Sequence, residues 1–236
     1  MSPAGLSYEQ APPFGLPLRF FLTAPLLLML AALAGLATAP AWTASRWSPQ
    51  AMALTHLVTL GFLGQVMMGA LMQMLPVVIG SPVPWPRLIG RLGHPGLNAG
   101  TSLLAAGLGW GRPSLILGGM ATLAIGWLPF LVASAVSLVR ARPATPTTLS
   151  PVRQAWFALV FTLALGNWLG GSLAGVWSAG PVDVLTSLHA AWGLLGWVLI
   201  LVIGVAYQVV PMLQITPAYP LFISRWLTWI LLAGLA

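Results

Sequence analysis

Residues 55–78 read THLVTLGFLGQVMMGALMQMLPVV, an apolar run with one imidazole, His56, near its start and no charge. A run of about 20 apolar residues is what a helix needs to cross the hydrocarbon of a bilayer. Lipid offers no water to the backbone, so such a run must satisfy its own amides as a helix. A second stretch, residues 189–213, repeats the plan as HAAWGLLGWVLILVIGVAYQVVPML. Gly61 answers to Gly196, Gly69 to Gly204, Gln73 to Gln208 and Pro76 to Pro211, all at one constant offset. Each copy carries a histidine in its first turns, His56 and His189, although these two are not in strict register.

Similar runs recur along the chain. Hydrophobic residues make up 58% of the 236 and charged residues only 5%, so the chain is an all-α, polytopic transmembrane helix bundle. The net charge of +7 does not point to nucleic acid, because the few charges sit in short loops between apolar runs. The partner this composition selects is the lipid bilayer. Cysteine is absent, which removes disulfides, thiolate ligands and thiol catalysis.

Residues 1–17 form a polar, proline-containing lead-in without the basic region and cleavage site of a signal peptide, so the first span is expected to be retained. The spans are expected at 18–39, 51–79, 96–111, 115–139, 155–177 and 188–213, with an incomplete seventh at 221–236. That last run ends at LLAGLA while still apolar, which reads as the N-terminal half of a longer protein. The Pro-rich stretch 80–95, with Arg87, Arg91 and His94, reads as a loop, and 140–153 as the longest polar connection.

Orientation follows from arginine alone, since there is no lysine. Arg19, Arg87, Arg91, Arg140, Arg142, Arg153 and Arg225 fall on one side of the expected spans, Arg46 and Arg112 on the other. The positive-inside rule then puts the N-terminus in the cytoplasm. The second and sixth spans both enter from the outer side. His56 and His189 therefore come to a similar depth, as a planar cofactor standing in a bundle requires.

A neutral imidazole ligates haem iron or copper, and it also relays protons. Gly193 and Gly196 lie four and seven residues beyond His189, on one helical face if the helix is regular, and would leave a smooth wall beneath the ring. The competing reading is that small residues let two helices approach and that the histidine hydrogen-bonds across the interface. His56 shares its face with Met52, Leu60, Leu63, Met67, Ala70 and Met74, a methionine-rich stripe that suits a porphyrin or an ordinary core. Gln65, Gln73, Gln208 and Tyr207 could hold water or a quinone headgroup, with interhelical hydrogen bonding as the plainer use. His94 reads as a surface or interface residue of the basic loop. Asp183, in the 178–186 loop, could orient His189. With two acids in the whole chain, acid–base hydrolysis is poorly served.

On the stretches 55–78 and 187–212, the chain resembles the heme-copper oxidase subunit I superfamily, in particular its small, divergent bacterial subunit-I-like members, over roughly the first half of such a protein. The resemblance implies a bacterial inner-membrane protein of respiratory electron transfer. It implies that His56, in the second helix near the outer face, is an axial ligand of a low-spin haem. His189 matches the helix that gives a copper ligand in the true oxidases. Those oxidases follow that histidine with a Pro-Glu-Val-Tyr pattern, where this chain has Ala190, Ala191, Trp192 and Gly193. The resemblance is therefore to a haem-binding or haem- and copper-binding protein, as in the related family linked to nitric oxide response, more than to a full oxygen-reducing enzyme. Its implied partners are other respiratory-chain subunits or a cytochrome electron donor, and any activity would be that of a haem-dependent oxidoreductase.

Two other classes stay open from the residues. A transporter could use the internal repeat for alternating access, although the repeat is parallel rather than inverted. A cofactor-free scaffold subunit would use both histidines for packing alone.

Overall fold

The computed structural model describes residues 11–141 and 146–235, with nothing of the Pro146 side chain. Residues 1–10 of the lead-in, Arg142 in the polar connection and Ala236 lie outside it. Among the described residues there are helices and no strands. They are α1 (Gly15–Ala37), α2 (Pro49–Ile79), α3 (residues 86–110), α4 (Pro113–Arg140), α5 (Pro146–Leu173), α6 (Val182–Gln214) and α7 (Leu221–Ala233), with a short helix Ala39–Ala44 between the first two. Of these, α1, α2, α4, α5 and α6 are long and apolar enough to cross a membrane; α7 is shorter.

Proline sets where several helices begin. Pro49, Pro86, Pro113 and Pro146 each open a helix, where a missing N–H costs nothing because the first amides have no intrahelical partner. Ser48 caps α2, its hydroxyl oxygen accepting from the Ala51 amide at 3.1 Å. Two connections are shorter than the sequence suggests for the same reason. The Pro-rich 80–95 stretch is a loop only over 80–85, and α5 starts inside the polar 140–153 stretch. Pro95 stays within α3 because it follows a π-helical segment, Ile89–Gly93, where the regular hydrogen-bond pattern is already interrupted.

Two more π-helical segments expose the internal repeat. In α2 the order is α-helix Pro49–His56, π-helix Leu57–Gly64, α-helix Gln65–Ile79. In α6 it is Val182–Ala191, Trp192–Leu199, Ile200–Gln214, and each internal boundary falls at the same offset as the paired glycines and prolines. Both end in the left-handed region, at Gly80 (φ 64) and at Ile215 (φ 52). Gly69 packs on Phe20 and Pro17 of α1, and its partner Gly204 packs on Pro151 and Val152 of α5. The helix that precedes each copy is thus gripped at the same place.

The helices form two groups, α1 to α4 and α5 to α7, joined where α4 packs on α5. The tightest pair is α3 with α4. Added Cβ atoms at Gly96, Gly107 and Gly119 would stand 2.6 Å from backbone atoms of the opposite helix, and one at Gly100 would stand 2.8 Å from the Leu123 backbone nitrogen. Glycine at these positions lets the two backbones touch, and dispersion between them replaces the hydrophobic driving force that lipid cannot supply. A core of Phe20, Met68, Met72, Trp127, Phe130 and Ile200 runs between the two groups. It leaves α2 and α6 without extended backbone contact among the described residues. That separation sets up the site.

A histidine pair between the second and sixth helices

His56 and His189 occupy the same level, each about 10 Å along its helix by the 1.5 Å rise per residue. Across the gap between α2 and α6 their ring centroids are 6.1 Å apart and their planes differ by 20°. Both imidazoles are half-buried. The residues singled out from the sequence as ligand candidates are therefore brought together by the fold.

Each ring is held through the same atom. Nδ1 of His56 lies 2.8 Å from the Met52 carbonyl one turn back, and Nδ1 of His189 lies 3.0 Å from the Thr162 carbonyl of α5. A carbonyl only accepts, so both rings carry their proton on Nδ1 and keep a lone pair on Nε2. Binding one nitrogen to a carbonyl to aim the other is the supporting arrangement found around metal-ligating histidines.

Space for the His189 ring comes from α5. A Cβ at Gly166 would stand 2.9 Å from its Cε1, so only glycine there admits the imidazole in this position. Neither Gly166 nor Thr162 was singled out from the sequence. Gly166 sits one helical turn beyond Thr162 in α5, and a helix-facing glycine at that spacing carries no distinctive mark among the 26 glycines of the chain.

Gly193 and Gly196 also face α5. A Cβ at Gly193 would meet Thr162 Cγ2 at 3.2 Å, and one at Gly196 would meet Ala158 Cβ at 2.9 Å. Their smallness serves the α5–α6 approach, and the His189 bond to Thr162 crosses that same interface. His189, Gly193 and Gly196 therefore lie along the side of α6 that meets α5. Asp183 lies exposed in the first turn of α6, its backbone carbonyl accepting from Ser187 Oγ, and it makes no hydrogen bond to His189 among the described residues.

Two imidazoles, each with a free Nε2 lone pair, are donor chemistry that a haem iron or a copper ion takes. Among the described residues no third His, Asp or Glu joins them.

A second polar cluster lies deeper, between α1, α2 and α3. The Thr23 hydroxyl donates to Gln65 Oε1 at 2.8 Å and lies 3.1 Å from His94 Nε2. Gln65, fully buried, also donates to the Gly61 carbonyl, and its amide pairs reciprocally with that of Asn98 at 3.3 Å each way. Asn98 donates to the His94 carbonyl at 2.7 Å, and the Phe20 ring meets the His94 ring edge to face. His94 is thus a half-buried helix residue and not part of a surface loop. The spacing His94, Asn98, Ser102 marks one face of a helix, a signal hidden by reading Pro95 as a breaker. Of the other polar groups, Gln73 donates to the Pro12 carbonyl and Tyr207 to the Ile223 carbonyl.

No family model, curated protein or solved structure matches this chain.

Proposed function

We propose that this is an integral membrane haem protein of electron transfer, built like the subunit I of heme-copper oxidases, in which His56 and His189 would hold the haem. The observation that carries this reading is the pair itself: two imidazoles at one depth, near-parallel, 6.1 Å apart, each aimed by a carbonyl on Nδ1. In the same reading the arginine-rich side is cytoplasmic, all seven helices belong to the membrane domain, and the pair lies toward the outer face of a bacterial inner membrane.

A haem bound there would supply one-electron redox chemistry. The chain's own residues have simpler tasks. The Met52 and Thr162 carbonyls hold the Nδ1 protons and fix both tautomers. Gly166 leaves room for the His189 ring. The core between the helix groups holds α2 and α6 apart, which leaves the two imidazoles facing each other across the gap.

The test is a reduced-minus-oxidised visible spectrum of the detergent-purified protein beside His56→Ala and His189→Ala. A low-spin haem signal in the wild type, lost in each variant, supports haem binding by the pair. A protein without haem after reconstitution, or a signal indifferent to both substitutions, overturns it.

A further inference from the structure

We propose that the groove between α5 and α7, on the arginine-rich side, holds the phosphate headgroup of an anionic phospholipid. The groove has a volume of about 580 Å³. Leu149 and Phe157 of α5 and Trp229 and Leu232 of α7 form its apolar walls, and Arg153 is the one charged group in its lining. This inference is independent of the haem reading.

Charge is the first argument. The chain has nine arginines and two acids. Asp183 sits beyond the far end of α5, at the opposite side of the bundle, and Glu9 lies outside the described residues. Arg153 is exposed, and it donates one bond, from a terminal nitrogen to the Leu138 carbonyl at 2.9 Å. A guanidinium has five N–H donors, so among the described residues most of its capacity is unused. At headgroup level in a bilayer, the anions available are lipid phosphates, and basic pockets between helices are where they seat.

The floor of the groove gives the second argument. In the amide orientation that satisfies both ends, Gln154 donates to Thr228 Oγ1 at 2.9 Å and accepts from Ser150 Oγ and Trp229 Nε1 at 3.3 and 3.2 Å. These polar groups are occupied with one another, which leaves Arg153 to recognise charge while the walls take acyl chain. Arg153 lies about 10 Å along α5 from its first residue, so its long stem can reach the headgroup level.

The experiment is native mass spectrometry of the full chain in detergent, titrated with phosphatidylglycerol or with phosphatidylcholine of the same acyl chains. The wild type should retain phosphatidylglycerol with about a fivefold preference, the size of one favourable arginine contact. Arg153→Gln should abolish the preference, and Arg225→Gln, outside the groove, should keep it. Because Arg153 also ties α5 to the end of α4, Leu149→Trp provides a variant that fills the groove and spares that bond; it too should lose the preference. Equal retention of both lipids by the wild type overturns the proposal. So does a preference that survives Leu149→Trp or is lost with Arg225→Gln, or a dimer that carries no lipid and buries the groove.

Discussion

Gly166 and His189 are in such close contact that a single carbon added to the glycine would stand 2.9 Å from Cε1 of the imidazole. The glycine belongs to α5 and the histidine to α6, so the position of a candidate ligand is set by a neighbouring helix. Gly166→Ala should displace the ring and weaken its bond to the Thr162 carbonyl, while alanine itself favours the helix by up to about 1 kcal/mol. The expected outcome is a changed or lost low-spin haem spectrum in a protein that is still folded. Visible absorption beside helical circular dichroism checks it, and an unaltered spectrum would detach Gly166 from the site.

Thr162 gives the matching control. His189 bonds to its backbone carbonyl, and the Thr162 hydroxyl itself donates back to the Ala158 carbonyl at 2.7 Å. Thr162→Val keeps the carbonyl and a branched side chain of the same shape against Gly193. The haem spectrum should therefore match that of the wild type, and loss of haem would show that the hydroxyl matters in a way the geometry does not give.

The cluster around Gln65 should behave as interhelical glue. Gln65→Leu takes the Gln65 donor from Asn98 Oδ1 and the Gln65 acceptor from the Thr23 hydroxyl, while Asn98 keeps its bond to the His94 carbonyl and Thr23 its bond to the Arg19 carbonyl, a loss of about 1 kcal/mol. Replacing both amides, Gln65→Leu with Asn98→Leu, should recover part of it, since removing both partners strands fewer groups. Reversible unfolding in mixed micelles measures the cycle. Strictly additive losses would mean the two amides do not cooperate.

The α3–α4 contact separates two adjacent glycines. A Cβ at Gly119 would stand 2.6 Å from the Leu104 backbone nitrogen, whereas one at Gly118 would meet nothing within 4 Å. Gly119→Ala must push the helices apart and should cost about 1–3 kcal/mol. Gly118→Ala should be neutral or stabilising by up to about 1 kcal/mol. The same unfolding measurement distinguishes them, and equal effects would contradict the packing.

The helices and the histidine pair were legible because their signals are compositional. Apolar length places a span, and the repeat of Gly61 and Gly196 with an early histidine in each copy puts His56 and His189 at one depth. The π-helical segments were not legible. LVTLGFLG and WGLLGWVL contain nothing that separates i to i+5 bonding from an ordinary helix. The supporting groups were hidden for a different reason. The Met52 and Thr162 carbonyls are backbone atoms that any residue supplies, and Gly166 acts through the absence of a side chain.

The repeat also identifies a strained residue. Gly80 and Ile215 end the two copies, both with positive φ, but only one of them is glycine. The left-handed region costs a side chain with a Cβ roughly 1–2 kcal/mol, and a β-branched residue is among the least suited to it. Ile215 is 93% exposed, so it has no buried packing to offset that strain. Ile215→Gly should therefore stabilise the protein by about 1 kcal/mol, the relief being reduced by the greater freedom of glycine in the unfolded chain. Because the change lies at the far end of α6 from His189, the haem spectrum should stay as it is while the unfolding midpoint rises. A fall in the midpoint would show that Ile215 makes a contact in the membrane worth more than the strain.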